Sequence, residues 1–260
     1  MEKSSGRRWF LKSVSAIGAA AIPAAARSEP HTHQHQLAQG GAAKPRAGQP
    51  VAYTLLAPTE VAFVEAAVAR LIPADELGPG AKEAGVSYFI DQQLAGAWGT
   101  MGRNYKQGPW AEGTPQQGYQ SALTPQELYR AAIREINIYC SAHHGREFDK
   151  LPAALQDEVL RGLEEGKIAL ETAPAQVFFA QLWDNTREGF FADPIYGGNR
   201  DKIGWKLVGF PGVAAAYVQH IENYNAPYNA EPVSIADMHQ NLVQLDEHGH
   251  PQHTLLTKKD

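Results

Sequence analysis

Residues 124–140 read Thr124-Pro125-Gln126-Glu127-Leu128-Tyr129-Arg130-Ala131-Ala132-Ile133-Arg134-Glu135-Ile136-Asn137-Ile138-Tyr139-Cys140, and this stretch decides the fold class. Thr124 carries a side-chain oxygen that can cap the first turn of a helix. Pro125 suits the first helical position, where its missing N–H has no partner in any case. Glu127 stands where its carboxylate can reach back to the Thr124 amide and close a capping box. Leu128, Ala132, Ile136, Tyr139 and Cys140 then recur at helical spacing and place one apolar stripe on one face.

The same reading extends in both directions. Thr59, after Pro58, is expected to cap a helix carrying Val61, Val64, Val68 and Leu71 until Pro73 stops it. Val86, Phe89, Ile90 and Leu94 predict a second helix ending near Gly96. Pro152 opens another through Leu155, Val159 and Leu163, closed by Gly166. Pro174 opens one more, with Phe178, Phe179, Leu182 and Trp183. Alternating strand patterns are hard to find, and no period of about 20–50 residues recurs. The expected fold is mainly α: a single helical domain over residues 53–230 with long ordered loops rich in glycine and aromatic residues.

Two such loops stand out. Gly96–Gly118 contains Trp98, Tyr105 and Trp110, with Tyr119 just beyond; Gly189–Gly212 contains Phe190, Phe191, Tyr196, Trp205 and Phe210. Loops beyond about fifteen residues are usually functional or disordered, and this aromatic content argues against disorder. They either present a surface to another protein or wrap the chain's own core.

Of the 260 residues, 43% are hydrophobic and 20% charged, and the net charge is −5. That excludes a disordered chain and shows no basic footprint for nucleic acid. The lone Cys140 excludes a thiolate-built zinc site, iron–sulfur cluster or haem attachment.

The chain opens with Arg7-Arg8-Trp9-Phe10-Leu11-Lys12, an apolar stretch from Val14 to Ile22, and Ala24-Ala25-Ala26. This is the pattern of a twin-arginine export signal over residues 1–26, with Gly6 where Ser or Thr is usual. The signal is carried by Arg7, Arg8, Phe10, Leu11 and Lys12. Residues 27–52, with His31, His33, His35, Pro45 and Pro50, read as a flexible linker, and residues 231–260, with His248, His250 and His253, as a C-terminal tail. Either His-rich end could hold a metal weakly, but neither has a fixed scaffold in the sequence. In an exported protein the odd Cys140 is a candidate for an interchain disulfide; a buried apolar thiol and a reactive thiol are the alternatives.

Catalytic signatures are missing. There is no nucleotide-binding glycine fingerprint, P-loop, nucleophile elbow or zinc-protease motif. His143-His144 with Glu147, Asp184 with Glu188, His220 with Glu222, and Asp237 with His239 are pairs without a nucleophile.

The run Glu188-Gly-Phe-Phe-Ala-Asp193-Pro194-Ile-Tyr196-Gly197-Gly198-Asn199-Arg-Asp-Lys-Ile-Gly204-Trp205-Lys-Leu-Val-Gly209-Phe210-Pro211-Gly212 resembles the hallmark of the gluconate 2-dehydrogenase subunit 3 family. Members are the small subunits of membrane-bound, flavin-dependent sugar and sugar-acid dehydrogenases. The twin-arginine start, the Leu-Ile-Pro73 stretch and Gly108-Pro109-Trp110 fit the same family, and the likeness covers roughly residues 55–225. The resemblance implies a large FAD-dependent flavoprotein partner, a multihaem c-type cytochrome subunit, a periplasmic location at the cytoplasmic membrane, and a small subunit that escorts the flavoprotein through the Tat translocase. It implies no cofactor and no catalytic or metal-binding residue in this chain. Tyr196, Gly197, Gly198, Asn199 and Trp205 are the candidate partner interface, lying in or beneath it. The alternatives are an independent periplasmic enzyme, or a periplasmic metal-binding protein that uses the His-rich ends.

Overall fold

A computed structural model describes residues 52–256, apart from 106, 112, 119 and 214–219. The described residues fall in one unit, residues 44–260. Arg7, Arg8, Phe10, Leu11 and Lys12 of the export signal, and the linker up to residue 51, lie outside the described residues.

Seven α-helices are formed among the described residues: α1 (Pro58–Leu71), α2 (Val86–Ala95), α3 (Pro125–His144), α4 (Ala153–Glu164), α5 (Ala175–Phe191), α6 (Ile203–Val208) and α7 (Ile235–His239). No strand occurs among them, so the architecture is mainly α as expected. Helix α5 is the hub and packs against α1, α2, α3, α4 and α6. The core between them is aromatic. Phe63 of α1 lies 4.6 Å from the ring of Phe148 and 6.2 Å from that of Phe178 on α5, and Tyr129 of α3 meets Phe178 edge-on at 5.3 Å. The buried Tyr129 hydroxyl accepts a hydrogen bond from Asn185 Nδ2 at 2.8 Å. Burial pushes its pKa well above the usual tyrosine value.

Helix α3 begins as its sequence requires. Thr124 Oγ1 accepts from the Glu127 amide at 3.1 Å, and Glu127 accepts from the Thr124 amide at 2.7 Å. Leu128, Ala132, Ile136 and Cys140 are fully buried. Helix α1 starts earlier than the Thr59 cap would have it. Pro58 takes the first position and Ala57 becomes the cap, its amide donating to Glu60 at 2.8 Å. Proline's locked φ already matches the first helical turn, so the helix extends back to it.

An extended segment leads into α1 and is lashed to α2. The fully buried Asp91 carboxylate accepts from the amides of Thr54 (2.7 Å), Leu55 (2.9 Å) and Leu56 (2.8 Å). At the far end of α1, Arg70 grips Asp157 of α4 through two parallel bonds of 2.7 and 2.8 Å. The planar guanidinium fork matches a carboxylate in this way.

The run from Gly189 to Gly212, expected as one long loop, is in fact partly helical. Gly189 to Phe191 complete α5, and residues 203–208 form α6. Gly189 sits inside a helix because α2 passes too close for a side chain there: a Cβ would lie 2.7 Å from the Phe89 ring. The run Gly96–Gly118 stays irregular, with one 3-10 turn at Pro115–Gln117.

Candidate functional site

The hallmark residues build a clasp at the C-terminal end of α5. Asp193 caps the turn Pro194–Tyr196 by accepting from the Ile195 amide at 2.9 Å, and its other oxygen accepts from the Ile235 amide at 2.7 Å. Asn199 is fully buried; its Nδ2 donates to Ala192 O and its Oδ1 accepts from the Gly204 amide, both at 2.8 Å. Trp205 is almost fully buried, and its indole N–H donates to Phe191 O at 2.7 Å, satisfying a carbonyl that α5 leaves open at its end. The Arg200 amide reaches Ala84 O at 2.9 Å and ties the clasp to the turn before α2.

Space in the clasp is minimal. A Cβ on Gly204 would lie 2.1 Å from Phe190 O, and one on Gly198 2.2 Å from Gly189 O. Asn199, Asp201 and Lys202 all hold left-handed backbone, with φ of 46°, 56° and 59°. Each such residue costs about 1–2 kcal/mol, offset here by the buried Asn199 bonds and by Lys202, whose ammonium donates to Asp237 at 2.9 Å. Segments that hold backbone strain in this way are often functional.

The candidate interface residues therefore divide. Gly198, Asn199 and Trp205 lie inside the clasp and shape it; Gly197 is half-buried against Tyr88; Tyr196 is 55% exposed. Phe191, Leu207, Val208 and Phe210 are also exposed apolar groups of the same clasp and of α6. Large apolar side chains grouped on a surface mark a contact with another molecule. Leu207 and Val208 were missed from sequence because α6 was not foreseen; once the helix is known, its outward face is legible.

Residues 231–256, read as a tail, return to the clasp. Val233, Ser234 and Ala236 are buried, the Val213 amide donates to Val233 O at 2.7 Å, and Asp237 closes a capping box with Ser234 at the start of α7. Asp237 thus serves α7 and Lys202 rather than His239.

The loop after α2 borders a second feature, an open hollow of about 400 Å³ whose described lining includes Trp98, Met101, Trp110, Pro125 and Gln181. The Gln181 Oε1 is buried and has no hydrogen-bond partner among the described residues. An unpaired buried acceptor costs about 1–3 kcal/mol unless something satisfies it.

The titratable pairs are dispersed. Asp184 pairs with Arg187, and burial followed by the neighbouring Asp184 charge pushes the Glu188 carboxyl above its usual value. His143 stacks on Tyr139 with ring centres 4.1 Å apart. His220 lies 5.0 Å from the Tyr228 ring, and His253 Nε2 sits 2.7 Å from Val213 O. His250 Nδ1 lies 3.2 Å from Asp246. Among the described residues no group of three or more His, Cys, Asp or Glu is placed to hold a metal ion. His31, His33 and His35 lie outside the described residues.

Cys140 is fully buried on the core face of α3, and burial raises its thiol pKa to about 11. That position favours the small apolar thiol over the interchain disulfide, since a partner's sulfur would have to enter the core. The native chain at pH 8 is expected to resist alkylation by iodoacetamide and to react fully once denatured, as read by intact-mass spectrometry. Rapid native labelling would show that α3 opens.

No curated protein and no solved structure matches the chain. The family model described as gluconate 2-dehydrogenase subunit 3 matches residues 58–212, more than half of the sequence and all of the clasp up to the returning segment 231–256. The chain belongs to the gluconate 2-dehydrogenase subunit 3 family.

Proposed function

We propose that this chain is the small, non-catalytic subunit of a periplasm-facing, membrane-bound FAD-dependent dehydrogenase. In this reading it binds the flavoprotein subunit in the cytoplasm, escorts it folded through the Tat translocase, and stays bound after export. A multihaem c-type cytochrome subunit completes the complex and passes the electrons on. FAD belongs to the large partner and haem c to the cytochrome; this chain holds neither.

The observation that carries the reading is the family match over residues 58–212, which makes the chain a small accessory subunit of a dehydrogenase complex. Three further features support the finer statement. The sequence opens on a twin-arginine pattern. The described fold is helical, without the strand-to-helix crevice in which a dinucleotide sits. The clasp and α6 leave Tyr196, Phe191, Leu207, Val208 and Phe210 exposed, a set suited to a protein partner. No described helix is long and apolar enough to cross a membrane; in this reading membrane attachment runs through the other subunits.

The test is the double change Arg7→Lys and Arg8→Lys in a strain whose flavoprotein subunit has no leader of its own. Dehydrogenase activity is expected to stay in the cytoplasmic fraction, with the flavoprotein still bound to the altered subunit. Undiminished periplasmic activity would rule out the escort role.

A further inference from the structure

We infer that the outer groove of α3 pairs with the same groove on a second copy of this chain, about a two-fold axis near Ile138. Arg130, Arg134, Ile138, Ser141 and Ala142 recur at three- and four-residue spacing, so they form one stripe of the helix. The core takes the opposite face, with Leu128, Ala132, Ile136 and Cys140, and all five residues of the stripe are exposed. The start of α1 stands beside the stripe. Between them runs a groove of about 710 Å³, bounded by Ala57, Glu60 and Glu147 and floored by the buried Ile133.

Ile138 is 62% exposed in the middle of the stripe. One exposed isoleucine names no partner by itself; the order of charges around it does. Arg130 and Arg134 stand before it and Glu147 after it, and Glu60 Oε1 lies 3.9 Å from Arg130 Nε. A uniformly acidic ligand would meet Glu60 and Glu147, and a uniformly basic one would meet Arg130 and Arg134. The groove suits a surface that carries both signs in the reverse order.

A second α3 laid antiparallel carries that order. Across a two-fold axis, each residue before the axis faces the one equally far beyond it. Ile138 then meets its own equivalent. Arg134 lies four positions before Ile138 and Ala142 four after, so the arginine stem covers small side chains, Ala142 and Ser141, of the other copy. Arg130 is eight positions before, about 12 Å along the helix, and Glu147 nine after, just past the Gly145 cap. The arginine of each copy thus reaches the glutamate of the other. A parallel pair would instead set Arg130 beside Arg130 and Glu147 beside Glu147.

Each end of the pair becomes a row of alternating charge. Lys150 stands beside Glu147 in one copy, followed by Arg130 beside Glu60 in the other. Such rows hold better than single surface ion pairs, and the symmetry makes every contact twice. The clasp uses none of these residues, and the pairing does not depend on the subunit assignment.

Sedimentation equilibrium on the complete chain, expressed without other subunits, tests this. A monomer–dimer equilibrium is expected, with a dissociation constant of about 10–100 μM for so small and polar an interface. Ile138→Asp is expected to weaken it about tenfold or more. Leu77→Asp, at an exposed leucine outside the groove, should leave it within about twofold. Charge reversal is the decisive arm. Arg130→Glu and Glu147→Arg each set like charges together at both ends of the pair, so each alone is expected to associate about tenfold more weakly. An equimolar mixture of the two is expected to dimerise as well as the unaltered chain, because one copy of each restores both opposite-charge contacts. That recovery also shows that both variants fold. Association through any other part of the chain would not respond in this way. A chain that stays monomeric up to about 1 mM would overturn the proposal. So would Ile138→Asp without effect, or a mixture that associates no better than its components. Loss of flavoprotein binding on Ile138→Asp in a chain monomeric throughout would give the groove to that subunit instead.

Discussion

Gly204→Ala is expected to destabilise the folded chain by about 3 kcal/mol, near the upper end for a single added methyl group. The new Cβ would lie 2.1 Å from Phe190 O and 3.1 Å from the Phe191 ring. The first of these is a backbone atom held in α5, so it cannot swing aside as a flexible side chain would. Relief requires α6 to move away from α5. That motion stretches the bond from the Gly204 amide to Asn199 Oδ1 and the bond from the Trp205 indole to Phe191 O. Urea denaturation reads the effect as a lower midpoint at unchanged slope. Gly96→Ala is the matched control: its Cβ would meet only ordinary contacts at 3.4 Å, so its effect should stay within about 1 kcal/mol. Equal midpoints for the two variants would show that α5 and α6 are looser than described. Because the exposed Leu207 and Val208 ride on α6, the same change should weaken binding to the flavoprotein subunit proposed above.

The second large effect is at Asp91. Asp91→Ala is expected to cost about 3–5 kcal/mol, a large share of the roughly 5–15 kcal/mol that holds a domain together. The carboxylate is fully buried and has no lysine or arginine among its hydrogen-bond partners; what compensates it is the three amides of Thr54, Leu55 and Leu56, joined by the Gln92 side-chain amide at 3.1 Å. Hydrogen bonds to a charged group contribute about 1.5–3 kcal/mol each, and removing the acceptor strands the amides it served. Asp91→Asn keeps the shape and one acceptor oxygen, so a smaller loss is expected. The selective readout is amide hydrogen exchange. Protection should vanish at residues 54–56 before it falls in α3 or α5. Uniform loss across the domain would mean that the segment is integral to the core instead of being tied onto it.

Much of this architecture could be read along the chain. The α3 box of Thr124 and Glu127 uses contacts three residues apart, so the sequence alone specifies it, and the buried stripe from Leu128 to Cys140 follows from the helical period. The family hallmark was legible too, as a string of residues around Asp193-Pro194. Its workings were not. Asn199 and Trp205 are polar-tipped side chains in a glycine-rich run, which reads as an exposed loop, yet both are turned inward, Asn199 onto the carbonyl of Ala192 just past α5 and Trp205 onto that of Phe191, its last residue. Asp91 looks like one more surface acid of an amphipathic helix until the segment 35–37 residues upstream folds across it. In each case the partner lies outside the three- and four-residue spacings of a helix, from 5 residues away for Asn199 to 37 for Asp91, and local periodicity carries no information about it. The cap of α1 failed for a smaller reason: Thr59 and Pro58 compete for the same helix start, and the rigid ring prevails.

Asp193 and Ile235 stand 42 residues apart, and the second of them lies beyond the last residue matched by the family. A ribosome that has already delivered the whole hallmark has therefore not yet delivered what completes it. Until Val233, Ser234 and Asp237 emerge, Gly212 has no neighbour to pair with and Lys202 no counter-ion. A transcript broken off shortly after residue 212 would encode every family residue and still yield an open surface. A chain that stops before Asp237 therefore carries the whole hallmark and lacks the contacts that complete its shape.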